Sequence, residues 1–160
     1  MTKKYGRQLL TIFLAMIIVT GTLLPQSLST VNADSVGKIW IGTNETTTYP
    51  TINAAVNAAS EGDVIHISGT FDNGAAAVKN STVNKPVTLD IAGNTTITGD
   101  GSANGITLSN KAKLQAGGNT LRMSKFKTAL TVQAGSSVND GIYNLDGNEI
   151  GFSLDKYAKL

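Results

Sequence analysis

Gly105-Ile106-Thr107-Leu108, Ala129-Leu130-Thr131-Val132 and Gly151-Phe152-Ser153-Leu154 are three versions of one phrase, recurring at nearly even intervals along the chain. Each is followed, at the same short spacing, by another apolar residue: Leu114, Val138 and Leu160. A further apolar position recurs between them at Ile97, Leu121 and Leu145, evenly spaced. Gly-Asn pairs accompany the pattern at Gly93-Asn94, Gly118-Asn119 and Gly147-Asn148, and a less regular copy begins at Val87-Thr88-Leu89-Asp90-Ile91. A fixed period of this length is the mark of a stacked repeat.

Each period holds three short apolar segments separated by polar corners, enough for one triangular turn of a coil. Stacked coils place equivalent residues about 4.8 Å apart. The spacing predicts three internal columns: Leu108/Val132/Leu154, Leu114/Val138/Leu160 and Ile97/Leu121/Leu145. Such columns bury a continuous core that no single coil could build. Gly and Asn supply the left-handed backbone at the corners. The fold expected is all-β, a right-handed parallel β-helix (a β-solenoid) of about 22–24 residues per coil. Leucine-rich repeats have a similar period but need a Leu and Asn pattern that is absent, and a β-sandwich would not keep this register.

Upstream of the coils, Ile52, Ala55, Val56 and Ala59 fall on one helical stripe. Thr51 can cap its start and Gly62 can take a left-handed turn after its end. This helix is expected to be an N-terminal lid over the first coil. Ile65 and Ile67 then share one face of a strand and His66 the other, read as a solvent-facing residue rather than a base or ligand. The chain stops at Leu160, on a core position, which leads us to expect a β-helix cut short at its C-terminus.

Composition narrows the function. Of 160 residues, 41% are apolar and only 15% charged, which excludes a disordered chain. There is no Cys and one His, which excludes a disulfide scaffold, a thiolate zinc site and a His-rich metal centre. After residue 33 the chain has ten basic and eleven acidic residues, a net of −1, so a nucleic-acid partner is not expected. The basic excess lies in Lys3, Lys4 and Arg7, ahead of an apolar run from Leu9 to Leu24 that Pro25 ends. With Val31-Asn32-Ala33 after it, residues 1–33 read as an export signal cleaved after Ala33. The remaining 34–160 would then be secreted or held at the cell surface, with no membrane contact once the signal is gone. Without Cys a lipid anchor is excluded, and the Asn-x-Ser/Thr triplets at Asn44, Asn80 and Asn94 read as chance.

The stretch from Tyr49 to Ala59, followed by Glu61-Gly62-Asp63-Val64-Ile65-His66-Ile67, resembles the opening of pectin-lyase-like right-handed β-helices, roughly Y-x-T-I-x-A-A-V-x-A-A-x-x-G-D-x-I-x-I. With the signal and the Gly-Asn-rich coils, residues 38–160 resemble the pectate-lyase-like adhesive domain of Gram-positive bacterial surface proteins. The resemblance implies a wall-associated adhesin, and it leaves open a secreted polysaccharide lyase or hydrolase of the same fold. A lyase would need a carboxylate cluster for Ca²⁺ and an Arg base. The register of the repeat puts Arg122, the one Arg after the signal, between Thr98 and Asp146, and reads Asp100, Lys125 and Glu149 as a solvated charge ladder. Asp63, Asp72, Asp90, Asp100 and Asp140 fall at different coil positions, mostly beside turns. Asp146 and Glu149 share one corner and do not face each other as a hydrolase pair would. No catalytic, cofactor-binding or metal-binding residue is therefore assigned, and no cofactor is expected. The outward Thr, Asn, Ser and Lys side chains suit an extracellular glycan or a surface protein. Trp40 reads as packing at the lid; Tyr49, Tyr143 and Tyr157 are the other aromatic candidates for stacking on sugars.

Overall fold

The computed structural model describes residues 36–72 and 75–160. The expected export segment and its cleavage after Ala33 lie outside the described residues. The chain winds as a parallel β-solenoid of about four turns. Strands β1 (Lys38–Ile41), β2 (Val64–Phe71), β4 (Thr88–Thr98), β6 (Lys113–Gln115) and β9 (Ser137–Val138) lie side by side in one sheet. Strand β7 (Thr120–Ser124) also pairs with β4, and β10 (Ile142–Asn144) with β7, making seven strands. The second sheet runs β3 (Ser81–Val83), β5 (Ile106–Leu108), β8 (Thr128–Val132) and β11 (Ile150–Leu154). Every pairing is parallel except β1 with β2.

The column in the second sheet forms as expected. Leu108 pairs with Val132 and Val132 with Leu154, and Val83 on β3 extends the column by one coil. In the first sheet Leu114 pairs with Val138, and Leu89 and Ile65 continue that column backwards. Val87-Thr88-Leu89 is thus a copy of the β6 segment, not of the Gly105 phrase. The third column differs from expectation. Ile97 pairs with Met123, while Leu121 sits opposite Thr95 and Tyr143. The partner of Ile97 is displaced from Leu121 to the next residue on the same face. Such an even shift leaves every side chain on its original side of the sheet. Ile97, Leu121 and Met123 are accordingly all buried although the partners differ. Thr95 faces inward among them at 1% exposure, and its hydroxyl donates to the Gly93 carbonyl at 2.8 Å.

The corners are tied from coil to coil. Asn119 Nδ2 donates to the Ile91 carbonyl at 2.9 Å and Asn110 Nδ2 to the Asn84 carbonyl at 3.0 Å. Asn148 Nδ2 donates to the Met123 carbonyl at 2.8 Å, and its Oδ1 accepts from Phe126 N, so Gly147-Asn148 serves a different corner from Gly118-Asn119. Of the three Gly-Asn pairs only Gly147 takes left-handed backbone; elsewhere it falls on other glycines and on Asn80, Asn110, Lys111 and Lys125. Gly105 is required by contact: a Cβ there would run into the Ala129 carbonyl oxygen of the next coil.

The N-terminal end is covered. Helix α1 (Ile52–Ala58) starts at Thr51, whose hydroxyl accepts from Ala54 N at 3.0 Å, and buries Ile52, Ala55 and Val56. It lies on β3, where Asn53 Oδ1 accepts from Thr82 N. Lys85 Nζ donates to the Asn57 and Ala59 carbonyls, satisfying groups that a helix end leaves open. Gly62 takes its left-handed turn at φ +87, in the corner leading to β2. Strand β1, not expected from the sequence, pairs antiparallel along β2 and closes the first sheet's edge. The last coil is more open: Ile142, Ile150, Leu154, Tyr157 and Leu160 are exposed, so Leu154 and Leu160 lack the burial expected of them.

Candidate ligand-binding groove

Alternation along β2 sends Ile65 and Ile67 inward at 0% exposure and turns His66 outward. Register then aligns one outward residue per strand. Trp40 lies opposite His66, His66 opposite Asp90, and Asp90 opposite Gln115. The four side chains form a row across the first sheet. His66 Nδ1 lies 2.9 Å from Asp90 Oδ2, and Gln115 Nε2 donates to Asp90 Oδ1 at 2.9 Å. An ionised carboxylate only accepts, so Nδ1 carries the hydrogen and Nε2 is left as the ring's second polar atom. The imidazole stacks on the Trp40 indole with centroids 5.1 Å apart and planes 21° from parallel.

The structure corrects several expectations. His66 does point outward, yet its side chain is only 23% exposed because Trp40 and Asp90 hold it. Asp90 stands within β4, away from a turn, and joins two coils. Arg122 lies opposite Thr96 and Asn144 rather than Thr98 and Asp146, so its paired neighbours include no carboxylate. Of the expected charge ladder, the Asp100 corner does stack on Lys125, since Gly101 N donates to the Lys125 carbonyl at 2.6 Å, while Lys125 N donates to the Gly147 carbonyl. Asp100 makes its ion pair with Lys79 at 3.3 Å. Ser102 donates to Asp100 from its hydroxyl at 2.6 Å and its backbone at 2.8 Å. These bonds, the hydroxyl's first, with Lys79 behind them, bring the Asp100 carboxyl down to about 2. Trp40 is buried at 5% exposure, but by stacking on His66 on the outer face of the first sheet and not by packing at the lid.

Beside the row lies an open depression of about 500 Å³, bounded by Trp40, Glu45, His66, Asp90, Gly117 and Asn119. Gly117 also borders a second depression of about 770 Å³, bounded by Gln115, Asn139, Asp140, Gly141 and Tyr143. The two share Gly117, and the second, bordered also by Val138 and Leu160, opens at the last coil. A Cβ at Gly141 would lie 2.5 Å from the Ala116 Cβ and 3.0 Å from the Tyr143 ring, so a side chain there would push one of them aside. The Tyr143 hydroxyl donates to the Asn139 carbonyl at 2.8 Å. Burial first, then the charges of Asp140 and Asp90, push its ionisation up to about 12. Tyr143 therefore stays neutral and presents a ring, not a base.

The second sheet offers a different surface. Thr82, Thr107, Thr131 and Ser153 stand in register, one hydroxyl per coil. It is a flat row. Among the described residues no three His, Cys, Asp or Glu side chains gather as a metal site would require. No helix among them is long and apolar enough to cross a membrane. Sequence reasoning missed the His66–Asp90–Gln115 row. The signal was present, because the separation of His66 and Asp90 equals that of Gly105 and Ala129, one period of the repeat. Comparison of the chain with protein-family models, with curated proteins and with solved structures gives no match.

Proposed function

We propose that this protein is a secreted or cell-surface adhesion module that binds extracellular glycan or protein without catalysis. The observation that carries this reading is the outward row of Trp40, His66, Asp90 and Gln115, one residue per strand, with an open depression beside it. An extended polymer would lie along the row and touch one outward residue per coil. The row's polar atoms hold one another, His66 and Gln115 both on Asp90, which suits a fixed recognition surface. The resemblance of residues 49–67 to the opening of pectin-lyase-like β-helices supports placing the module with the adhesive domains of Gram-positive surface proteins.

The test uses the protein displayed on beads, because multivalency converts weak contacts into measurable attachment. Beads are expected to adhere to polysaccharide- or matrix-coated surfaces, and to lose adhesion when His66→Ala with Gln115→Ala removes two members of the row. In parallel the protein is expected to release no unsaturated or reducing sugar from pectate with Ca²⁺ present. Pectate cleavage that disappears with Arg122→Ala would instead establish the lyase reading.

A further inference from the structure

We infer that the outer face of the first sheet carries an oxyanion site at Arg122, fitted to the sulfate ester of a glycan. The site lies on the later half of β4 and on β7, apart from the row that carries the adhesive reading. Register sets Thr70, Thr96, Arg122 and Asn144 in a second outward row, one residue per strand. Beside it lies a hollow of about 130 Å³ lined by Asn94, Thr95, Thr96, Thr120 and Arg122, with no carboxylate among them. The ion pairs among the described residues are His66–Asp90 and Lys79–Asp100, so the Arg122 guanidinium has no partner there. Asn94 adds an independent observation. In the next Gly-Asn pair, Asn119 donates its Nδ2 to the Ile91 carbonyl. Asn94 instead accepts from Thr120 N through Oδ1 at 2.9 Å, which fixes the amide and leaves Nδ2 without an acceptor among the described residues. The Thr95 hydroxyl is held by the Gly93 carbonyl, whereas those of Thr96 and Thr120 make no hydrogen bond within the described residues.

Other charges stand around the hollow and not in it. Asp140 and Asp146 flank β10 at its two ends, Asp72 follows β2, Lys125 follows β7, and Lys38 pairs with Ser68. With Arg122 these sum to zero. Asp90 and Asp100, at either end of this stretch of β4, are held by His66 and Gln115 and by Lys79. Selectivity therefore comes from the hollow's own groups, one guanidinium and three neutral donors. They match an anion with one charge on three terminal oxygens, which is a sulfate monoester. The guanidinium fork takes two of those oxygens and the neutral donors reach the rest. A uronate spreads one charge over two coplanar oxygens and leaves donors unanswered. A phosphate monoester carries nearly two charges at neutral pH, and the second is opposed by the surrounding carboxylates. The hollow, roughly the liquid volume of four water molecules, takes the ester head and leaves the sugar outside.

NMR titration of the ¹⁵N-labelled protein at low ionic strength tests the inference with glucose 6-sulfate, glucose 6-phosphate, glucuronate and glucose, which differ only in the head group at one carbon. Glucose 6-sulfate is expected to shift the Thr96 and Thr120 amides and the Arg122 Nε–Hε signal saturably, with a Kd on the order of millimolar. Glucose should give no shift, and the phosphate and the uronate should bind at least about threefold more weakly. Arg122→Gln should abolish the amide shifts, and Arg122→Lys should weaken binding about fivefold because it keeps the charge and loses the fork. Thr96→Val with Thr120→Val, which keeps side-chain shape, should weaken it about fivefold without moving the thermal midpoint. Thr107→Ala with Thr131→Ala, on the other sheet, should leave it unchanged. Absence of a saturable shift with glucose 6-sulfate overturns the inference, as does equal binding of the phosphate or the uronate. Undiminished binding by Arg122→Gln, by Arg122→Lys or by the double valine variant overturns it too, because the hollow would then not read the ester. Beads that adhere through the His66 row while glucose 6-sulfate does not bind would sink this site alone. Sulfate binding without bead adhesion would sink the adhesive reading alone.

Discussion

The two sheets are wound from the same coils and obey different registers. In the four-stranded sheet each coil contributes one short strand, and Leu108, Val132 and Leu154 follow one another directly. In the seven-stranded sheet a coil contributes either one long bent strand, such as β4, or two short ones, β6 and β7, with a turn between. The corner therefore differs in length from coil to coil. Pairing between β2 and β4 skips between Ile67 and Gly69, and the skip carries Phe71 opposite Ile97. The lesson is that a solenoid tolerates insertion at a corner provided the strands beyond it re-register by an even number of residues. An odd shift would turn apolar residues to solvent.

The strongest test of this comparison lies in the regular sheet. Leu130→Asp or Val132→Asp puts an unpaired carboxylate at a position with 0% exposure. Each is expected to cost upwards of about 4 kcal/mol, a large part of a domain's stability. Thr131→Ala, on the outer face between them, should stay within about 0.5 kcal/mol. Leu154→Asp, in the same column but 46% exposed, should fall well short of Val132→Asp. Urea unfolding would measure all four, and equal tolerance of Leu130→Asp, Val132→Asp and Thr131→Ala would refute the register of this sheet.

The irregular sheet is sharpened by cross-linking, which the absence of native Cys makes clean. Thr96→Cys with Arg122→Cys joins directly paired residues and should close a disulfide on oxidation, stabilising by up to about 3 kcal/mol. Thr98→Cys with Arg122→Cys places the two Cα atoms about 8 Å apart, beyond disulfide reach. If the second pair oxidises and the first does not, the register expected from the repeat is right and the shifted one wrong.

The smallest effect concerns Asp100, at the corner just beyond β4. Its folded pKa is lowered from 3.8 to about 2, so its stabilising contribution is complete above about 3.8 and is lost as pH falls through about 2. The group is open to solvent, and the change in stability should be slight. The shift itself should be plain in an NMR titration of the Asp100 carboxyl. Ser102→Ala should bring it part of the way back, and Lys79→Met less, because the Ser102 hydroxyl bond is its leading cause.

Thr95 explains why the third column was legible only in part. An apolar pattern assigns a partner to Leu121 by seeking the nearest apolar residue one period away, and that residue is Ile97. The actual neighbour is a threonine, buried because its hydroxyl finds a carbonyl within its own strand. A polar residue satisfied locally looks like surface in a sequence. The same limit hid the outward row. His66 and Asp90 each read as isolated outward residues until pairing set them side by side, and Glu45 beside them comes from a distant turn. Strand β1 was hidden for a related reason, since so short a strand carries too little pattern to declare a pairing.

The sequence by itself determined the coil, its approximate period, the inward and outward faces and the helix that precedes it. Those properties follow from local periodicity, since apolar side chains must share a face to leave water and left-handed corners favour Gly and Asn. Tertiary structure alone decided which residue sits over which across a corner of variable length. It thereby decided that Trp40, His66, Asp90 and Gln115 make one row with an open depression beside it. Register across a corner is fixed by hydrogen bonds between strands a full coil apart in the chain, and pairings at that distance leave no local mark on the sequence.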